Sequence, residues 1–182
     1  DYYGIAYPTL PLLNPEYANP LLLLISCKVA KNTTSKQFVL AHTGMNALFK
    51  GYRDNLEEEF ALKEDRDYDG KRVVSKAIRC IAEHMLLQNC DSIEYCECDN
   101  IIKSNVGSFP FLLKELVSEG VFTKEHGLRQ DENEYITFSY QRLKDHYMAE
   151  YIIADCHDSQ QVGQKFQAAE FKDLIYNNIN FY

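Results

Sequence analysis

The chain has no tryptophan, no surplus of basic residues and no apolar run long enough to cross a bilayer. Lys and Arg number 19 against 27 Asp and Glu, for a formal net charge of -8. Sequence-independent nucleic-acid binding needs surplus cations to displace counterions, so this balance argues against it. The apolar stretch 21–25 is too short for a membrane span and follows a proline-rich lead-in, so neither a signal peptide nor a membrane anchor is expected. A cytoplasmic protein is the default expectation. The phosphate loop GxxxxGK[ST], the GxSxG elbow, HExxH and the Rossmann glycine fingerprint are all missing from these residues. His42, His84, His126, His146 and His157 are scattered, none at helical spacing from another. Asp145 and His146 are adjacent, but neighbours on a helix point about 100 degrees apart and do not face each other. No catalytic residue is therefore expected in this segment.

Metal chemistry has little support. Cys90, Cys96 and Cys98, with His84 nearby, could form a zinc site, but a CxC pair lacks the two-residue gap that normally lets both thiolates reach one ion. Plain reduced thiols are the simpler expectation. Cys27 and Cys80 fall in apolar helical patterns and read as small buried hydrophobes.

What is present is the composition of a globular protein, 46% hydrophobic and 25% charged over 182 residues, enough for one domain or two small ones. Residue 1 is Asp and the last residues are an apolar run, so both ends read as cut from a longer protein. Residues 1–18 carry Pro8, Pro11 and Pro15 and read as an extended lead-in. Asn19 is suited to cap a helix and Pro20 to open it, since the first helical position needs no N–H. That helix, 20–31, is apolar nearly all round and is expected to be buried. Residues 37–42 fit helix or strand. A long helix from about Thr43 to Lys63 follows, with Met45, Leu48, Phe49, Tyr52, Leu56 and Phe60 on one face. Eight carboxylates between Asp54 and Asp69 read as a solvated face and loop.

Asp69 is placed to cap a helix ending near Gln88, whose ladders Val74-Ile78-Ala82 and Val73-Ala77-Ile81-Met85 are strongly amphipathic. Residues 92–96 are strand-like, and Asp99 is placed to cap a short helix carrying Ile101, Ile102 and Val106. A third helix, 109–119, ends at Gly120. Residues 121–124 and 135–140 read as strands joined by a polar loop. The second strand runs directly into a helix with Leu143, Tyr147, Met148, Tyr151 and Ile152 on one face. At that junction sit Tyr140, Arg142, Lys144, Asp145 and His146, either a ligand-holding corner or an ordinary one facing water.

The order predicts a mainly α fold: a helical subdomain over 1–68, a winged helix (three-helix core plus β-hairpin wing) over 69–158, and further helices over 159–182. A winged helix raises DNA binding. The residues argue otherwise, because the helix that would enter a groove offers Phe, Leu and Val with one Lys and two Glu. The wing tip 129–134 is also net acidic.

Three segments carry a resemblance. NPLLLLISCKVA, residues 19–30, resembles the NPLFLKLLCEAL helix that follows the nucleotide-binding core in STAND-class signalling NTPases. LLKELVSEGVF, residues 112–122, and ITFSYQRLKDHYMAEYII, residues 136–153, resemble signatures of the Avs-type antiphage STAND (NACHT-like) ATPases of prokaryotes. The resemblance implies the helical lid and winged-helix subdomains of such an ATPase. It implies a P-loop core upstream, a repeat-type sensor from about Ser159, and ATP or ADP with Mg in the parent protein. It implies a viral protein as trigger and oligomerisation on activation. It implies that Pro20 touches the adenine. In animal NOD-like receptors the winged helix offers a His to the diphosphate from an FxHxxxQEF segment. Tyr140 stands at the position of that His and Asp145 at that of the Glu. A phenol carries no positive charge at neutral pH, so Arg142 is the candidate substitute. Pro20 reads equally as a plain helix start and Tyr140 as a core aromatic. A winged-helix transcriptional regulator and a protein-interaction module remain as alternatives.

Overall fold

Asn19 does what its side chain predicts. Its Oδ1 accepts hydrogen bonds from the backbone N–H groups of Leu21 (2.9 Å) and Leu22 (3.4 Å), two of the donors that a helix N-terminus leaves without an intrahelical acceptor. Helix α1 (Pro20–Asn32) follows after a single 3-10 turn over Pro15–Ala18. The computed structural model describes residues 4–5, 15–32, 40–63, 72–107, 109–127, 133–154 and 156–167. The chain divides into two compact units, Asp1–Ser75 and Lys76–Tyr182.

In the first unit α1 packs on α2 (Leu40–Lys63). Helix α2 starts earlier than its periodicity predicts, and it is interrupted at Gly44, whose φ of 74 degrees is left-handed. Helix α1 is not buried all round: Leu22, Ile25, Ser26, Val29 and Ala30 are buried, while Leu21, Leu23 and Leu24 are half-buried. One partner helix covers one face, which is why an all-apolar sequence still shows two faces. Cys27 is likewise half-buried, not the core residue its neighbours suggested. Close approach is made possible by Gly51 on α2, where a Cβ would stand 3.1 Å from Cγ1 of Val29. The buried Ser26 hydroxyl donates to the Leu22 carbonyl at 2.8 Å, so it adds no unsatisfied polar group to this interface.

The acidic stretch is not simply a solvated face. Glu57 accepts hydrogen bonds from the N–H groups of Val74 (3.2 Å) and Ser75 (2.9 Å) and from the Ser75 hydroxyl (2.9 Å). These donors lie in the first turn of α3 (Val73–Gln88). The helix is therefore capped by a carboxylate 17 residues upstream of Val74, a contact that sequence spacing does not advertise. Asp69, the expected cap, lies outside the described residues.

The second unit holds most of the expected winged helix, with the β-hairpin, and a further helix beyond it. Helix α3 is followed by β1 (Ile93–Glu94), α4 (Tyr95–Val106), α5 (Leu112–Ser118), β2 (Phe122–His126), β3 (Glu134–Phe138), α6 (Gln141–Ile153) and α7 (Ser159–Gln167). The antiparallel sheet has the order β1-β3-β2, so the hairpin β2–β3 is joined on its β3 side by the short strand that precedes α4. Both predicted ladders of α3 are buried, from Val73 and Val74 through Met85. Helix α3 ends at Asn89, with a left-handed φ of 50 degrees. The Asn89 N–H bonds to the Leu86 carbonyl and the Cys90 N–H to the Met85 carbonyl, the paired bonds of a Schellman cap. Helix α5 ends the same way at Gly120, through Gly120 N–H to Val117 and Val121 N–H to Leu116.

Three predicted boundaries are corrected. The strand expected over 92–96 is only two residues, and the next helix begins at Tyr95 rather than after Asp99. Asp99 lies inside α4, where it pairs with Lys103 one turn on. Helix α5 is also shorter than predicted, because residues 109–111 form a turn. The hairpin is closed by apolar contact on its inner face. Phe122 stands opposite Phe138 in register, their rings meet edge to face at 4.8 Å, and Phe138 stacks on Tyr147 of α6 at 6.3 Å. Residues 129–132 of the wing tip, most of the lead-in, and residues 168–182 lie outside the described residues.

Candidate functional site

The strand-to-helix junction forms where the sequence places it. Tyr140 is the N-cap of α6 in an extended conformation, and its carbonyl accepts from the N–H groups of Leu143 (3.0 Å) and Lys144 (3.2 Å). Its phenol makes no capping hydrogen bond. Arg142 is half-buried in the first turn, so Tyr140 and Arg142 share one helix N-terminus, where backbone dipoles favour an anion. Pro20 is exposed at the first position of α1, in the other unit.

The rest of the polar cluster is not a solvated corner. Lys144 is 4% exposed, and its ammonium reaches Asp91, in the α3–β1 turn, at 2.5 Å. Its aliphatic stem therefore packs in the interior while its head meets an exposed carboxylate, the arrangement long cationic side chains favour. Asp145 accepts a hydrogen bond from Gln141 at 2.8 Å. Burial holds its carboxyl above the usual range, against the opposing pull of Gln141, Lys144 and Arg142. His146 pairs with Glu150 one turn on at 3.5 Å. A test separates stem from charge. Lys144→Met, which keeps the stem, is expected to change unfolding stability by less than about 1 kcal/mol. Lys144→Ala should cost about 2 kcal/mol. Urea titration measures both, and equal losses would show that the ion pair dominates.

Asp91 leads from this junction to a second feature that sequence reasoning missed. A groove of about 500 Å3 opens along the outer edge of β1. One wall is the C-terminal half of α3, with His84 and Gln88; Cys90 and Ser92 of the following turn form its end. Ile93 and Glu94 of β1, Glu97 of α4 and Tyr135 of β3 line the rest. His84 Nε2 stands 3.5 Å from Glu97 Oε1, joining α3 to α4 across it. Burial, with Glu97 and Asp91 adding to it, pushes the Cys90 thiol up, so Cys90 remains a neutral thiol. All but Tyr135 fall within residues 84–97, spread over the end of α3, the turn, β1 and the start of α4, and Tyr135 is brought in from β3.

The cysteines do not form a cluster. Cys98 is fully buried and Cys96 exposed, because two positions along a helix are about 200 degrees apart. Among the described residues no three His, Cys, Asp or Glu side chains are grouped to hold a metal ion. All six thiols are free. Among the described residues no helix is long and apolar enough to cross a membrane.

No protein-family model matches the chain, and no curated protein sequence matches it.

Proposed function

We propose that this chain is the regulatory, non-catalytic part of a STAND-type signalling ATPase, a helical lid followed by a winged helix, acting in antiviral defence in the cytoplasm. The observation that carries the proposal is the character of α5, the helix that a DNA-binding winged helix would place in the major groove. It is seven residues long. Leu112, Leu113 and Leu116 are buried, and Lys114 is its only cation. Such a helix has almost nothing with which to read base edges or phosphates. A winged helix without a reading helix is suited to packing against neighbouring domains, and the three motif resemblances name those neighbours. They are a P-loop core upstream, which supplies ATP or ADP with Mg, and a repeat sensor downstream, which meets a viral protein. Closure over nucleotide and release on triggering would be a rigid-body movement biased by ligand, with oligomerisation following.

In this reading Tyr140 and Arg142 face the diphosphate and Pro20 the adenine. A hydrogen bond to a charged group contributes about 1.5–3 kcal/mol. Arg142→Ala in the protein carrying the P-loop core is therefore expected to weaken ADP binding at least about tenfold by calorimetry, with Tyr140→Phe weakening it less. Unchanged ADP affinity in both variants would remove these residues from the nucleotide site. A gel shift on duplex DNA addresses the transcription-regulator alternative, and no shift is expected.

A further inference from the structure

The groove along β1 is independent of the junction at Tyr140, and its walls share a chemical character. Of the described residues lining it, none is Lys or Arg, and two, Glu94 and Glu97, are carboxylates. The nearest cation felt at its end is Lys144, whose ammonium is already tied to Asp91. His84 is committed to Glu97. Glu94 is different. It is half-buried, yet among the described residues its carboxylate has neither a hydrogen-bond donor nor a cation beside it.

Strand register places an aromatic beside that carboxylate. Glu94 stands directly opposite Tyr135, and Tyr135 directly opposite Glu125 on its other side. Residues directly opposite in neighbouring strands share a face, so the outer face of the sheet carries an acid-aromatic-acid row. The inner face holds Ile93, Ile136, Phe122 and Phe138. Tyr135 is half-buried, and among the described residues its ring stacks on no other ring and meets no cation. The Gln88 and Ser92 side chains at the same groove are also uncommitted among the described residues. A concavity of about 500 Å3 lies within the range of roughly 300–1,000 Å3 that ligand sites occupy. An aromatic face next to a carboxylate is the pairing that attracts an organic cation, through the ring quadrupole and the full charge together.

We infer that the groove bounded by Glu94, Glu97 and Tyr135 is a binding site for an organic cation, a guanidinium or alkylammonium group. Glu94 pairs with the charge, Tyr135 provides the π face, and Gln88 and Ser92 accept the remaining N–H donors. A free polyamine-like molecule and an arginine side chain of a bound peptide present the same group.

The test titrates the 182-residue chain with agmatine and with a blocked Gly-Arg-Gly peptide, observed by amide NMR shifts. Both are expected to perturb Glu94, Glu97 and Tyr135 with Kd on the order of 0.1–1 mM. Glu94→Gln, which keeps size and fold, should weaken both about three- to tenfold. Tyr135→Leu should do the same, and Glu119→Gln, removing a carboxylate outside the groove, should change neither. The tighter of the two probes identifies the source as small molecule or peptide. Binding by neutral N-butylurea as tight as by agmatine would overturn the inference. So would shifts dispersed over the whole acidic surface, insensitivity to Glu94→Gln, or no shift at about ten times the expected Kd.

Discussion

Phe122→Ala is expected to lower the stability of the winged-helix unit by about 3–5 kcal/mol, a large part of the total a domain of this size has. Phe122 is 1% exposed at the first position of β2. It is the only one of that strand's five residues to be buried, so the strand's grip on the core is concentrated in one ring. That ring meets Phe138 edge to face, and Phe138 stacks on Tyr147 of α6. Truncation leaves a cavity at the point where the hairpin is fastened to the helix, and β2 has no second apolar residue to refill it. Urea titration followed by far-UV circular dichroism measures the loss. Glu125→Ala, on the same strand but exposed, should stay within about 0.5 kcal/mol. Similar costs for the two variants would show that the hairpin is not anchored as described.

Alkaline pH should destabilise the second unit through its buried thiols. Cys80 is 8% exposed and Cys98 fully buried, and the Cys80 thiol donates to the Ala77 carbonyl at 3.1 Å. Burial, with Glu83 adding to it, pushes the Cys80 thiol up to about 11 from its ordinary 9.0. Burial also raises Cys98, with further contributions from Cys80, Asp99 and Glu97. A raised folded-state pKa means that the unfolded chain releases its thiol protons first. Stability is therefore intact below the ordinary thiol pKa and falls as pH rises above it. The slope is at most about 1.4 kcal/mol per pH unit for each thiol. Tyr95, also raised by burial, acts in the same direction at higher pH. Urea midpoints between pH 8 and pH 10.5 should fall in the wild type and fall less steeply in Cys80→Ala/Cys98→Ala. An unchanged slope in the double variant would assign the alkaline loss to other groups. The same burial should leave Cys96, exposed on α4, the first thiol to react with a modifying reagent.

Both effects depend on side chains whose partners were not legible: Phe122 and Cys80 fell in apolar patterns, while Cys98 was read only as a reduced thiol and its burial came from the structure. The α3 ladders identified a buried face, and the hairpin was expected from β-branched and aromatic runs on either side of a polar loop. Three charged residues share a cause. Glu57 was read as part of a solvated stretch and Asp99 as a helix cap, while Lys144 was left between a ligand-holding corner and one facing water. Glu57 instead receives N–H donors from a helix start 17 residues away, and Lys144 finds Asp91 53 residues away. Asp99 serves its own helix one turn on. Composition near a residue does not encode where a distant chain segment will pass.

The candidate sites divide the same way. Pro20, Tyr140 and Arg142 come from linear motifs, so they were nameable in advance. The groove was not named, because Tyr135 joins His84, Cys90, Glu94 and Glu97 only when β3 inserts between β1 and β2, and because the two-residue β1 with α4 directly after it was not expected.

By itself the sequence determined the helical periods, the Asn19 and Gly120 helix ends and the turn from strand to helix near Tyr140, because each depends on residues within a few positions of one another. The order of elements then leaves few topologies open. Only the tertiary structure decided which charges are buried, which carboxylate caps α3, and that an acid-aromatic-acid row faces outward beside an open groove. Those outcomes depend on register and on long-range closure, where a shift of one residue exchanges the two faces of a strand.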